Sequence, residues 1–380
     1  MKSKKVFIAG AGGIGQAAGL ILANFPYLDC EIVLADRYLS SAQQAKDFVN
    51  DGASFNVASA IEMPSDGMSE ILKSSLSECD IILDCLPGSQ APRLATYAKD
   101  FGLHYANLTE YVKETEDVIN IANNANTGFI LQTGLAPGYI NVLAMHLFNK
   151  FTASYGVEKV DEINMKVGAL SKHARSPFFY AYTWSPIGVA TEYVKDAYVV
   201  EDYQTKSIPS LSNTETILID GIQYEDDFTS GGAADLPQAL EGKVRNLNYK
   251  TIRFPGHYGW AKNIINETPA DADPVDFLDN TMRDNIPSVE DDMVLVYASV
   301  KAKDNNKVLR AIEKSIKVYP SQVGNKTLRA IQTTTAAPLC EAARLLLEDN
   351  YKGPVLQSQL DSMSFLNGPF VKEIYGEIES

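Results

Sequence analysis

KKVFIAG (4–10) runs into GAGGIG (10–15) and then QAAGLILANF (16–25), and the reading of this stretch decides the fold. The first segment is a compact apolar run ending in glycine, which suits a buried parallel strand. The last carries a helical pattern of apolar residues. The GxGxxG signature therefore stands between a strand and a helix, where each glycine has a task. Gly10 permits the tight turn, Gly12 lets the backbone approach a pyrophosphate, and Gly15 lets the helix pack closely on the strand. Gly13 and Ile14 complete the loop at the helix start, whose free N–H groups and positive dipole end suit phosphates. The pattern predicts a dinucleotide site.

A second strand, EIVLAD (31–36), ends in Asp36, 21 residues after Gly15. A carboxylate there can accept hydrogen bonds from both ribose hydroxyls and would repel a 2′-phosphate, so NAD is the expected cofactor. Arg37 follows, a residue type that can hold the extra phosphate of NADP, the less favoured alternative. The alternation then continues through NVASA (56–60), GMSEILKSSLSE (67–78), CDIILDCLPG (79–88), SQAPRLATYAKDFG (89–102), HYANL (104–108), VKETEDVINIANNA (112–125) and GFILQT (128–133). This βα rhythm predicts an α/β fold, a doubly wound parallel Rossmann sheet of about six strands. Ligands of such sheets lie beyond the carboxyl ends of the strands. That rule nominates Cys85, Leu86 and Pro87, the Thr109-Glu110-Tyr111 loop, and the loop opened by Gly134 and Leu135.

At 380 residues the chain is too long for one ordinary core, and two domains are expected. Acidic residues outnumber basic ones 48 to 33, giving a formal charge of −15. Such a surface repels nucleic acid and anionic membranes and favours a small-molecule partner. Cys30, Cys79, Cys85 and Cys340 show no CxxC spacing and no nearby histidine, so neither a metal site nor a disulfide framework is expected. Reduced thiols fit a cytoplasmic protein. The charged start and apolar run of residues 1–25 resemble a signal peptide, but five glycines interrupt it. TGFILQTGLAPGYINVLAMHLF (127–148) lacks charge, yet Gly134, Pro137, Gly138 and Asn141 break it. It reads as a buried strand, a turn and a helix, not a membrane span.

From about residue 140 the rhythm changes. EINMKVGA (162–169), ETILIDG (215–221), YKTIRF (249–254) and MVLVYASVKA (293–302) are strand-like, within a mixed α+β domain. TTTAAPLCEAARLLLEDN (333–350) is a helix with one apolar stripe, placed to return to the nucleotide domain. The expected organisation is a Rossmann domain over 1–140, completed by 333–380, with an inserted domain over 141–332.

Seven segments resemble the saccharopine dehydrogenase-like family: FIAGAGGIGQ (7–16), DIILDCLPG (80–88), NLTEYVKE (107–114), QTGLAPGYINVLA (132–144), YAYTWSPIGVATEYV (180–194), FTSGGAADLPQALEGKV (228–244) and LNYKTIRFPGHYGW (247–260). The flavour is that of bacterial saccharopine reductases and lysine 6-dehydrogenases. The resemblance implies an inserted substrate and dimerisation domain, a homodimer, and hydride transfer at a carbon bearing nitrogen in amino-acid metabolism. Two alternatives accompany it: a carboxynorspermidine-type, polyamine-forming reductase, and a non-catalytic nucleotide-binding regulator.

Amine oxidation needs a neutral amine, a group to take its proton and a dry pocket. Tyr111, just past a parallel strand, is read as an acid–base group or an aromatic lid. His257 has a suitable ordinary pKa and is read as catalytic or as hydrogen-bonded in a turn. Glu110 serves as a base if burial raises its pKa, or as a cap, and Lys172 as a base or a solvated loop charge. An amino-acid substrate also needs a carboxylate clamp, for which an arginine fork is suited. Arg253 is the first choice, ahead of Arg175 and Arg245, each of which also reads as a surface ion pair. Tyr182, Thr183, Trp184 and Ser185 are expected to line the pocket, with Trp184 in the core as the competing reading. Thr229, Gly231 and Gly232 allow close approach of a ligand, or form a simple turn.

Overall fold

The computed structural model describes residues 3–110 and 112–379. Two compact units divide the chain. The first takes the chain up to Tyr139, then Ser321–Leu328 and Gln332–Glu379; the second takes Ile140–Pro320 and Arg329–Ile331.

The first unit opens with β1 (Lys4–Ala9), α1 (Gly13–Asn24), β2 (Cys30–Asp36), α2 (Leu39–Gly52), β3 (Ala58–Glu62), α3 (Glu70–Leu76) and β4 (Ile81–Asp84). It continues through α4 (Ala91–Phe101), β5 (His104–Asn107), α5 (Val112–Ala122) and β6 (Gly128–Ile130). The second unit contributes α6 (Tyr139–Tyr155), β7 (Val160–Leu170), α7 (Pro186–Val194), β8 (Ala197–Glu201), β9 (Gln204–Ile208), β10 (Glu215–Ile219) and β11 (Ile222–Phe228). There follow α8 (Leu236–Ala239), β12 (Val244–Arg253), α9 (His257–Asn266), α10 (Pro274–Asn285), β13 (Met293–Lys303) and β14 (Leu309–Val318). The return comprises β15 (Ser321–Val323), β16 (Lys326–Leu328), α11 (Ala330–Glu348), β17 (Gly353–Val355), α12 (Ser362–Leu366) and α13 (Pro369–Tyr375).

The first sheet has the order β17-β6-β5-β4-β1-β2-β3, and every pairing in it is parallel. Val6, Phe7, Ile8 and Ala9 are wholly buried, as a central strand covered on both faces demands. Chain order reverses between β1 and β4, so a crevice opens beyond their carboxyl ends. Gly10 and Cys85 continue those two strands into it, their amides bonding Ala35 O and Ala9 O at 2.8 Å each. The expected α/β class holds. The count of about six strands is corrected to seven, because β17 of the returning chain pairs with β6. Gly102 ends α4 with a left-handed φ of 66°, as its position predicts.

The second unit is built on an eight-stranded mixed sheet with the main path β10-β11-β12-β7-β13-β14 and the β8–β9 hairpin attached to β12. The Lys317 ammonium on β14 meets Asp220 in the β10–β11 turn at 2.9 Å, so the two ends of the path approach each other. On one face, α7, α9 and α10 bury Tyr180, Val189, Tyr193, Tyr258, Leu278 and Met282. On the other, Leu170, Tyr224, Ile252 and Leu295 form a smaller core. Beside it Asp226 is paired with both Lys166 and Lys250, three buried charges that need one another.

Candidate active site

The three glycines of the loop differ in what surrounds them. Gly10 has φ 99°, and a Cβ there would stand 2.9 Å from Cys85 O. At Gly15 a Cβ would lie 1.9 Å from Gly10 O, so helix and turn touch backbone to backbone. Gly12 is exposed, and nothing stands within 4 Å of where its Cβ would point. That open cradle, with the amides of Gly13 and Ile14 starting α1, fits a pyrophosphate. At the end of β2, Asp36 Oδ2 accepts from the Ala11 amide at 3.1 Å and Oδ1 from the Tyr38 amide at 3.2 Å. The Arg37 guanidinium turns over the Tyr38 ring, 4.7 Å from its centroid.

Beyond β4, Cys85 and Leu86 are half-buried and Pro87 is exposed. Burial keeps the Cys85 thiol protonated, well above its ordinary pKa. Beyond β6, Leu135 is buried, while Gly134 closes its loop through a 2.9 Å bond to Pro137 O. Between these two loops, beyond β5, stands Glu110, whose carboxyl is pushed up to about 7 by burial. The glycine loop, Asp36, the 85–87 loop, Glu110 and Gly134 thus share one edge of one sheet. Tyr111 lies outside the described residues.

In the second unit Arg253, 1% exposed, ends β12. Its Nε donates to Tyr193 Oη at 2.7 Å and its Nη1 to Ile252 O at 3.0 Å. The guanidinium also lies over the Tyr180 ring at 4.7 Å and the Tyr193 ring at 5.7 Å. His257 is wholly buried, with Nδ1 2.7 Å from Phe178 O and Nε2 2.9 Å from Tyr193 Oη. A carbonyl only accepts, so Nδ1 carries the proton, Nε2 accepts from the tyrosine, and the tyrosine accepts from Arg253. Burial, with the charge of Arg253 adding to it, holds the imidazole pKa down to about 3. The histidine is neutral and fixed in one tautomer; both nitrogens are spent inside the protein, leaving neither for a substrate.

Tyr182 and Thr183 are buried, and their hydroxyls have no hydrogen-bond partner among the described residues. Trp184 packs on α7, its ring 2.5 Å from where a Cβ on Gly188 would lie. Ser185 spends its hydroxyl as the cap of α7, accepting from Gly188 N at 3.4 Å. Thr229 bonds Thr251 hydroxyl to hydroxyl at 2.6 Å. Gly231 sits at φ 86°, and Gly232 leaves room for the Tyr249 ring, 2.2 Å from its would-be Cβ. Packing accounts for Trp184 and Gly232, and helix capping for Ser185. Arg245 forms an exposed pair with Asp202, and Lys172 one with Asp291. What residue reading missed here is Tyr193: its spacing marks it only as a core position of α7, and its role as a hub shows only in space.

Among the described residues no group of histidine, cysteine or carboxylate side chains could hold a metal, and all four cysteines are free. No described helix is long and apolar enough to cross a membrane.

The family model of the saccharopine dehydrogenase NADP binding domain matches residues 6–131. That of the saccharopine dehydrogenase C-terminal domain matches residues 134–377. Among solved structures, the chain is similar to apo histidine-tagged saccharopine dehydrogenase (L-Glu forming) from Saccharomyces cerevisiae. The two are 14% identical with a TM-score of 0.75, over 98% of each chain. It is also similar to the homospermidine synthase of Legionella pneumophila, solved in complex with NAD. There the identity is 14% and the TM-score 0.65, over 99% of this chain and 90% of that one. At such identities the structures speak for the fold.

Proposed function

Because the chain belongs to the saccharopine dehydrogenase family of NAD(P)-binding oxidoreductases, we propose that it exchanges a hydride between a bound nicotinamide and the amine-bearing carbon of an amino acid. The first unit is the dinucleotide domain in this reading. The Gly10–Gly15 loop holds the pyrophosphate, and Cys85, Leu86, Pro87, Gly134 and Leu135 flank the rest of the cofactor. Asp36 takes the ribose hydroxyls, which favours NAD over NADP because a 2′-phosphate would face its carboxylate. Glu110 accepts the proton of the substrate amine; with its carboxyl near 7 it is suited to do so at neutral pH.

The second unit is the substrate domain. The observation that carries the choice of an amino acid over a polyamine is Arg253. A guanidinium keeps its charge at any working pH, and here it is held against Tyr180 and Tyr193, in whose cluster the Tyr182 hydroxyl has no partner among the described residues. Such a cluster suits a carboxylate and opposes an ammonium. His257, neutral and fully bonded, orients Tyr193 and touches no substrate.

A panel of lysine, saccharopine, other amino acids and diamine–aldehyde pairs, each with NAD and NADP separately, tests the reading through the absorbance of the reduced nicotinamide. Turnover of carboxylate-bearing amines supports it. Turnover of diamine–aldehyde pairs alone would establish the polyamine-forming reaction instead, and binding of NADH with no turnover of any amine would leave a regulator.

A further inference from the structure

A chain of buried polar groups runs beneath the carboxyl ends of β4, β5 and β6. The Leu86 amide donates to Asp84 Oδ1 at 3.0 Å, and the Tyr105 hydroxyl donates to Asp84 Oδ2 at 2.8 Å. Asn107 Nδ2 reaches Tyr105 Oη at 3.4 Å, while Asn107 Oδ1 accepts from the Gln132 amide at 2.8 Å. The Asn107 carbonyl takes the Thr133 amide, also at 2.8 Å. Asp84, Tyr105 and Asn107 are 2% exposed or less. The chain therefore ties the 85–87 loop to the segment that enters the 134–138 loop, and at Gln132 it holds a non-glycine residue at φ 59°. Backbone in that region is costly and persists only where its surroundings impose it.

The Tyr105 hydroxyl has a second place to put its proton, since Ala91 O lies 3.3 Å away. While Asp84 is ionised, the tyrosine donates to it and the Leu86 bond is charge-assisted. Once Asp84 takes a proton on Oδ2, that proton points at Tyr105 Oη, the tyrosine turns its own to Ala91 O, and the Leu86 bond becomes an ordinary neutral one. We propose that Asp84, Tyr105 and Asn107 are positioning residues that set the two cofactor loops, with the Tyr105 hydroxyl as a two-position switch read out as cofactor affinity. The proposal rests on the reading of these loops as the cofactor site.

Burial lifts the Asp84 carboxyl to about 6; the Leu86 amide, the Tyr105 hydroxyl and the field of Arg93 on α4 oppose that rise without cancelling it. Tyr105, Arg93 and the protonated Cys85 thiol are the titratable groups facing it. The switch thus turns over just below neutral pH, and weakening the Leu86 bond loosens the loop as pH falls.

The test is NADH affinity by fluorescence from pH 5 to 8 in the full chain, paired with an NMR titration of the Asp84 carboxyl in the cofactor-free protein. The wild type is expected to lose about fivefold in affinity as pH falls through the midpoint, the low end of ordinary coupling. Asp84→Asn should remove the step. Tyr105→Phe should shrink it and raise the Asp84 midpoint, because the ionised form loses a hydrogen bond. Unchanged affinity steps in both variants overturn the proposal, and Tyr105→Phe alone decides it if the Asn variant does not fold. Should the wild type bind no NADH while Tyr105→Phe still raises the midpoint, the cofactor reading fails and the hydrogen-bond chain itself stands.

Discussion

Asp36 Oδ2 accepts a hydrogen bond from the amide of Ala11 at 3.1 Å, so the carboxylate at the end of β2 is tied to the glycine turn after β1. On the proposed reading, one side chain thus holds the turn that would receive the pyrophosphate and also faces the ribose. Asp36→Ser keeps a short acceptor and removes the charge. The expected outcome is a fall in kcat/KM with NAD of about tenfold or more, since hydrogen bonds to a charged group contribute roughly 1.5–3 kcal/mol. With NADP, kcat/KM should rise, helped by Arg37. Steady-state kinetics with both cofactors check this, and an unchanged NAD/NADP ratio would remove Asp36 from its proposed role.

Gly12 and Gly15 are separated by three positions but differ in what a methyl group would meet. At Gly15 it would drive into Gly10 O; at Gly12 it enters open space. Gly12→Ala should therefore keep its thermal midpoint and lose cofactor affinity, while Gly15→Ala should lose both. Thermal melts alongside NADH fluorescence separate the two. Equal loss of stability in both variants would contradict the division of labour.

The first sheet and its loop were legible because parallel strands buried on both faces are nearly continuous apolar runs, and because the glycine spacing has a steric cause. The helix at Leu39–Gly52 was not, since it buries only Ala42, Ala45, Val49 and Gly52 among polar neighbours. Nor was β17, three residues containing a proline. In the second unit β14 escaped reading because most of its residues are exposed or half-exposed and it alternates poorly. Arg253 and His257 could be nominated from their residue types. Their shared partner Tyr193 comes from α7, 60 and 64 residues earlier in the chain, a pairing that no local pattern encodes.

His257 is bound neutral in the folded protein, with its pKa lowered from 6.5 to about 3. The unfolded chain takes up a proton near 6.5 and the folded one does not, so between these values stability rises with pH. The contribution is fully present above 6.5 and fades as pH falls toward 3. Urea unfolding of the wild type should show this, with a slope on the order of 1.4 kcal/mol per pH unit from one such group. His257→Asn should lack that part of the slope. An NMR titration of His257 with a midpoint between pH 5 and 8 would refute the assignment.

Glu110 behaves in the opposite sense. Burial raises its pKa from 4.5 to about 7, so the folded state prefers the protonated form. Its contribution to stability is present below 4.5 and is lost as pH rises through 7. At pH 8 the ionised group is a cost to the fold and, on the proposed mechanism, the working base. Glu110→Gln should therefore melt higher than the wild type at pH 8 and at the same temperature as it near pH 4. In the direction of amine oxidation kcat should fall by about 10²–10⁴, the range for loss of a general base. The rise in wild-type rate through pH 7 should also disappear from its profile. A structural carboxyl would give the gain in melting temperature without the loss of the kinetic limb, so a variant with wild-type kcat and profile would move the base to another residue.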